Sequence, residues 1–385
     1  MSNQDALVVG AGPAGIVMAE RLAGKDYSVT LIDRRSRYGG GAYDEYDAHG
    51  ILIHPYGPHI FHTNKKHVFD YLSRFTKWND YAHKVVANVY GKLIPVPFNL
   101  KALESTFGEV AGEIHDAVIS VYGRDAVVTI DVLMRSDVPR LRELGQFVFE
   151  NIFSCYTQKQ WGIPFCEIDE SVLKRVPVRV SYDDRYFPDT WQGLPVDGYS
   201  KMFAKMLDFP NIHLHPGVDS AQILELSEGG RILVDDQIFK GPVIYTGAID
   251  ELFQYRFGHL PYRTIDFCFE THNQNRYQTH GVVNYTVDEK FTRITEFKHM
   301  TLQKLEGCTT ICKEYPRSYD PLKDELPLYP IATKDSNAIY QRYLKLATNW
   351  KNLWLIGRLA EFTYYNMDEI VDRALQLAKT IEDVE

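Results

Sequence analysis

The sequence predicts an α/β fold in which a dinucleotide-binding domain carries an inserted helical domain and an antiparallel β-sheet domain. Three observations predict it. An apolar run at residues 6–9 enters Gly10, Gly12 and Gly15 at G-x-G-x-x-G spacing, and a second apolar run at 28–32 ends in Asp33. Residues 101–150 lack strand alternation and repeat apolar side chains at helical steps, for example Phe147, Ile152 and Phe153. Residues 260–315 alternate repeatedly, as in Thr264-Ile265-Asp266-Phe267-Cys268-Phe269-Glu270.

The first unit reads as Rossmann-like. Gly10 allows the tight turn, Gly12 lets backbone reach a pyrophosphate, and Gly15 lets the helix at 16–22 pack close on its strand. That helix would point its N–H groups and positive dipole end at phosphates. The Asp33 carboxylate can accept from the ribose hydroxyls of an adenosine. The motif alone leaves NAD and FAD open. Arg34-Arg35-Ser36-Arg37-Tyr38-Gly39-Gly40-Gly41 follows, a basic loop running into three glycines, where backbone must pass close to something. Next comes His54-Pro55-Tyr56-Gly57-Pro58-His59-Ile60-Phe61-His62-Thr63-Asn64, rigid and irregular. No Cys or carboxylate pattern completes a metal site there, so its histidines fit better beside a flavin ring.

Residues 66–77 are helical by the spacing of Val68, Phe69, Leu72 and Phe75, and 85–90 with 93–96 form a hairpin around Gly91-Lys92. Between Trp161 and Arg175 the residues follow no clean period, which suits a mobile lid. A helix at 201–207 and the strand ending Tyr245-Thr246-Gly247 return the chain to the first domain. Near the end, Leu353-Trp354-Leu355-Ile356-Gly357-Arg358 leads into an amphipathic helix at 370–381. Two-part FAD folds make a second cofactor contact with such an arrangement, which favours FAD. The expected domains are 1–79 with 201–250 and 340–385 for the cofactor, 80–165 for the helical insertion with its lid continuing to about 180, and 181–200 with 251–339 for the sheet.

Composition narrows the function classes. A 385-residue chain with 45% hydrophobic and 24% charged residues is long enough for more than one core. A formal charge of −9 argues against a general nucleic-acid binder. No apolar run approaches the roughly 20 residues of a membrane span, and no signal peptide is read at the start. Five scattered cysteines read as reduced thiols in a cytoplasmic protein. The 25 Tyr and 20 Phe include flat faces suited to sugars and bases.

Several segments resemble one family along nearly the whole length. They are Gly10 to Gly15, the Tyr56–Asn64 run, Tyr156-Thr157-x-Lys159-Gln160-Trp161-Gly162, Arg175-Val176-Pro177-Val178-Arg179, Asp184-Arg185-Tyr186-Phe187, Asn284-Tyr285-Thr286, Thr292-Arg293, Glu296-Phe297-Lys298-His299 and Gly357-Arg358-Leu359. The chain is similar to the bacterial UDP-galactopyranose mutases. The resemblance implies an FAD-dependent isomerase interconverting UDP-galactopyranose and UDP-galactofuranose, supplying furanose for cell-surface polysaccharide. Reduced flavin N5 would attack the anomeric carbon with UDP as leaving group, without net redox. It also implies a homodimer, and NAD(P)H or another reductant as electron source.

The resemblance assigns residues as well. Arg175 in the lid and Arg293 on the sheet would stabilise the departing diphosphate, and His59 and His62 would lie by the flavin. Tyr156, Thr157 and Trp161 would hold the uracil; Tyr186, Tyr329 and Tyr364 the phosphates; and Asn284 a polar contact nearby. Cofactor contacts would come from Gly10, Gly12, Gly15, Asp33, Arg34, Gly40, Gly41, Ala42, His59, Ile60, Gly247, Gly357, Arg358 and Met367. Three positions depart from the family's common pattern. Asn366, grouped with the substrate contacts, stands where Asp is common and cannot be a base; Gly41 stands where Asn is usual; Phe98 replaces a smaller aliphatic residue. Such changes can accompany a neighbouring substrate, UDP-N-acetylgalactosamine or a dTDP-deoxyhexose such as dTDP-fucopyranose. A flavin amine oxidase and a non-catalytic flavin binder are the rival classes, and the aromatic segment 156–161 argues against the second.

Overall fold

The computed structural model describes residues 4–162, 177–323 and 326–382. Its first sheet has five parallel strands in the order Ile212–Pro216, Ser28–Asp33, Asp5–Val9, Val243–Tyr245, Leu353–Leu355. Alternation assigns its two faces. Ala6, Val8, Val29, Leu31 and Ile244 join one core with the helices Pro13–Ala23, Tyr199–Met206 and Met367–Glu382. Leu7, Val9, Ile32, Val243 and Tyr245 join another, with residues of the helices Ile249–Leu252 and Lys334–Ala347. Strands covered on both sides read as near-continuous apolar runs, which is how 6–9 stands in the sequence, while 28–32 starts at Ser28 and is interrupted by Thr30.

The second sheet has seven strands in the order Tyr329–Pro330, Tyr262–His272, Thr309–Ser318, Arg293–Glu296, Val282–Tyr285, Val85–Val89, Lys92–Val96. Its pairs are antiparallel except Val282–Tyr285 with Val85–Val89. One face is partly open to water and carries ion pairs such as Arg317 with Asp266 and Lys313 with Glu270, while Val283, Ile294 and Ile311 are buried on it. The other face is covered, and it holds the site described below.

This corrects the expected boundaries. The hairpin 85–96 belongs to the sheet, where sequence spacing puts it in the helical insertion. Val85, Ala87, Val89 and Val282 line one core with Leu103, Ile114, Leu141 and Leu144 of the helices Leu100–Phe107, Ala111–Tyr122 and Pro139–Val148. Sheet and insertion therefore share a core, which a boundary at residue 80 would cut. Residues 181–200 do not join this sheet either. Trp191–Gly193 pairs with Phe61–Thr63, and Val178–Arg179 pairs with Val127–Val128 of the insertion.

The helix Pro139–Val148 runs through a π-helical segment, Phe149–Ser154, into Cys155–Trp161. Such segments rotate the residues that follow, and they recur at functional sites. Gly162 ends the run at φ 67°. Among the described residues no helix is long and apolar enough to cross a membrane.

Candidate active site

The glycine turn is built by backbone crowding. Gly10 has φ 98°, and a Cβ there would lie 2.0 Å from Thr246 Oγ1, whose hydroxyl donates to the Val9 carbonyl at 2.9 Å. A Cβ on Gly15 would lie 1.9 Å from the Gly10 carbonyl oxygen, so this glycine sets helix-to-strand distance and does not line the cleft. Gly12 gives its helix no side-chain cap, which leaves first-turn amides for an anion. The Gly39-Gly40-Gly41 loop passes close to this same turn: a Cβ on Gly40 would lie 2.7 Å from the Gly12 Cα.

A cleft of about 330 Å³ opens over the turn, within the size range of ligand sites. Gly10, Gly12, Asp33, Arg34, Gly40, Gly41 and Ala42 line one end; Gly247, Gly357 and Arg358 line its wall; and His59, Asn366 and Met367 lie along it. Asp33 does more than face the cleft. Its Oδ2 accepts from the Ala11 amide at 2.8 Å and its Oδ1 from the Arg35 amide at 2.9 Å, so it also pins the turn. Arg34 pairs with Glu251 at 2.8 Å. Sequence reasoning missed Glu251 and the 218–224 wall, which no local motif marks.

His59 donates from Nδ1 to the Gly57 carbonyl at 2.8 Å, and its amide donates to His54 Nδ1 at 3.1 Å. Burial, with His54 beside it, lowers its pKa to about 3. The ring is therefore neutral, with a lone pair on Nε2. Ile60 packs toward the cluster of Phe297 and Met300 and does not line the cleft. His62 is not a lining residue either. It pairs with Asp189 at 2.9 Å and stacks on Phe187 with centroids 3.5 Å apart.

A second cluster of polar and aromatic side chains rests on the covered face of the seven-stranded sheet. Register places Asn284 opposite Arg293, Arg293 opposite Glu314, and Glu314 opposite Phe267, so one row crosses four strands. Tyr329 lies opposite Arg263 on the same face. Arg293 Nε–H donates to Glu314 Oε2 at 2.8 Å; the arginine side chain is 23% exposed and the carboxylate 1%. Burial disfavours the Arg293 charge, but Glu314 outweighs it and holds the guanidinium well above its usual range. Among the described residues, the two terminal amino groups of Arg293 make no hydrogen bond.

Tyr156, Tyr186 and Tyr329 lie within electrostatic reach of Arg293, and burial raises the Tyr156 phenol to about 12. Tyr364 stacks on Tyr329 at 5.9 Å, and Arg358 lies 4.7 Å from the Tyr364 ring and 5.3 Å from that of Tyr329. Because Arg358 also lines the cleft, the tyrosine pair adjoins the cleft there. Asn284 is buried with Oδ1 unpartnered. Thr157 is buried on the helix with Tyr156, and Lys159 docks that helix by donating to the Tyr285 and Glu289 carbonyls. Trp161 closes the helix. Arg175 and the expected lid segment 163–176 lie outside the described residues.

A family model for UDP-galactopyranose mutase matches residues 151–364, and one for a NAD(P)-binding Rossmann-like domain matches 8–75. The UDP-galactopyranose mutase of Mycoplasma genitalium is 35% identical, over 99% of this chain and 95% of its own. The chain belongs to the UDP-galactopyranose mutase family. A probable UDP-galactopyranose mutase of Klebsiella pneumoniae is 35% identical over 98% of this chain and 94% of its own. A dTDP-fucopyranose mutase of Escherichia coli is 34% identical over 97% of each chain. Among solved structures, that of a reduced UDP-galactopyranose mutase superposes with TM-score 0.74 at 14% identity, covering 100% of this chain and 95% of its own. A putrescine oxidase superposes with TM-score 0.56 at 13% identity over 100% of this chain and 99% of its own. Those two likenesses describe the fold.

Around Arg293 lie residues that sequence reasoning did not assign: Glu314, Phe187, Arg263 and His83. Phe187 sits in a segment that the resemblance marks. Glu314 and Arg263 carry no local signal, because strand register alone brings them there, and His83 lies in the irregular stretch before Val85–Val89.

Proposed function

We propose that the chain isomerises a nucleotide-linked galactose between its pyranose and furanose rings, with UDP-galactose as substrate and FAD as cofactor. One observation carries the reading. Arg293 is fixed by a buried carboxylate within electrostatic reach of Tyr156, Tyr186 and Tyr329, and Tyr329 lies against Arg358, which lines the dinucleotide cleft.

The residues present fit FAD. The Gly12–Gly40 approach is a cradle that any Cβ would fill, the helix Pro13–Ala23 is uncapped, and the cleft runs on to His59 and Met367 at the start of the last helix. Reduced flavin would supply N5 there as a nitrogen nucleophile for the anomeric carbon. The protein's task is then to take the charge of the departing diphosphate. Arg293 meets it with a guanidinium that is always charged, already oriented through Nε. Arg175 is assigned the second positive charge. Tyr186, Tyr329 and Tyr364 offer hydroxyls to the phosphate oxygens, and Tyr156 offers a face to the base. His59, neutral, adds no charge beside the cofactor ring.

The test is to reduce the purified protein with dithionite and follow conversion of UDP-galactofuranose to the pyranose. Turnover only with reduced flavin supports the reading. No turnover, or equal turnover with oxidised flavin, overturns it. The Escherichia coli relative favours a second sugar, dTDP-fucose, so its furanose is assayed in parallel with that of UDP-N-acetylgalactosamine. A homodimer in the cytoplasm, with NAD(P)H as reductant, completes the proposal.

A further inference from the structure

His83 lies two residues before Val85, in line with Ala87, Asn284 and the Arg293 row. Its ring is 5.6 Å from Tyr186, edge to face, and 5.7 Å from Phe187, stacked. Its amide donates to Gln192 Oε1 at 3.0 Å, and its carbonyl accepts from the Tyr186 amide at 2.7 Å. Nδ1 lies 2.9 Å from the Tyr81 hydroxyl. Only Nε2 is uncommitted. It has no hydrogen bond among the described residues, yet it is not among the fully buried orphan atoms, although the residue is 5% exposed. The atom therefore keeps some exposure, and Arg293 is near enough to act on the ring's charge.

Hydrogen-bond accounting fixes the tautomer. Burial raises the Tyr81 phenol, and the Lys84 amide approaches its oxygen as a donor. If the ring donated from Nδ1, the half-buried Tyr81 hydroxyl would have no acceptor for its proton among the described residues. Tyr81 therefore donates to Nδ1. Burial, with Arg293 and His62 nearby, lowers the His83 pKa to about 3, so the ring is neutral and carries one N–H.

We propose that Tyr81 locks His83 as an Nε2–H donor and that this donor reads a hydroxyl oxygen of the substrate's sugar, making His83 a specificity-determining residue and Tyr81 its positioning residue. The inference rests on the mutase reading for where the sugar lies. A phosphate would be drawn to Arg293. A neutral donor between aromatic rings suits a sugar hydroxyl.

Two measurements test it. In holoenzyme labelled with [15N]histidine, long-range 1H–15N correlation should show His83 with protonated Nε2 and acceptor Nδ1, assigned by the signal lost in His83→Gln. Tyr81→Phe should mix the tautomers. In oxidised holoenzyme, His83→Leu should weaken UDP-galactose by about tenfold and leave UDP within about twofold, because only the sugar contact is lost. His83→Asn, which keeps an N–H, should recover most of the difference. A protonated Nδ1 in the wild type, equal weakening of UDP, or His83→Asn no better than His83→Leu would each overturn the assignment. Binding is read without turnover. A wild type that binds UDP-galactose more tightly than UDP but turns over nothing when reduced would sink the mutase reading and leave the His83 test standing.

Discussion

Two regions adjoin at Arg358, the first a dinucleotide cleft and the second the cluster around Arg293, and they are held by different kinds of contact. In the turn beneath the dinucleotide cleft the critical approaches are backbone to backbone: Gly15 to the Gly10 carbonyl and Gly40 to the Gly12 Cα. In the arginine cluster they are side chain to side chain, across strands contributed by residues 282–285, 293–296 and 309–318. The first kind has no slack, since a single methyl group meets an atom that cannot move aside. The second is graded, since a side chain can be shortened, neutralised or exchanged while the sheet stays paired. Substitutions in the first region should therefore act on folding and cofactor retention, and those in the second on rate and affinity.

The largest expected effect is in the glycine turn beneath the dinucleotide cleft. Gly15→Val should cost more than about 3 kcal/mol of stability and abolish flavin retention, read by urea unfolding and visible absorbance. A variant that folds with full flavin content would break the distinction. Arg293→Ala should lower kcat/KM by about 10²–10³ while flavin content stays that of the wild type. Glu314→Gln should cost less, about tenfold, because the guanidinium stays charged and loses only its orienting partner. Loss of flavin in either variant would mean that the two regions are not separable.

Acid probes the histidines. Burial lowers His54 to about 4 and His59 and His83 to about 3, from an ordinary 6.5. Between those values the unfolded chain binds more protons than the folded one, so stability falls as pH falls from 6.5. Each ring should account for about 1–2 kcal/mol between pH 7 and pH 5, seen as a lower urea midpoint. A flat profile would contradict the buried neutral rings. The smallest effect is at the base: Tyr156→Ala should raise KM by about tenfold with kcat nearly unchanged, and Tyr156→Phe should stay within about threefold. A kcat loss in Tyr156→Phe would move that hydroxyl into the chemistry.

The same difference governs what the sequence reveals. The glycine turn is made by neighbours in the chain, so its spacing announces it, and the strands 6–9 and 28–32 follow from their apolar runs. The hairpin 85–96 was visible as a hairpin but not as part of a sheet, because its partner lies at residues 282–285. Glu314 was unreadable as the partner of Arg293 for the same reason: only register sets them opposite each other. The aromatic segment at 156–161 was legible as a motif. The π-helical turn that precedes it, at Phe149–Ser154, was not, since nothing in its composition departs from an ordinary helix. His83 stood in an irregular stretch with no period to flag it.

The order of the seven-stranded sheet has one more consequence. Its two outermost strands are Lys92–Val96 and Tyr329–Pro330, and each contains a proline, Pro95 and Pro330. A proline has no N–H to offer a newcomer, and the second of these strands is only two residues long. A sheet with one partly wet face and free margins invites stacking of copies into fibrils. Here both margins are poor templates for a further strand, so the platform that carries Arg293 can stay broad without seeding its own aggregation.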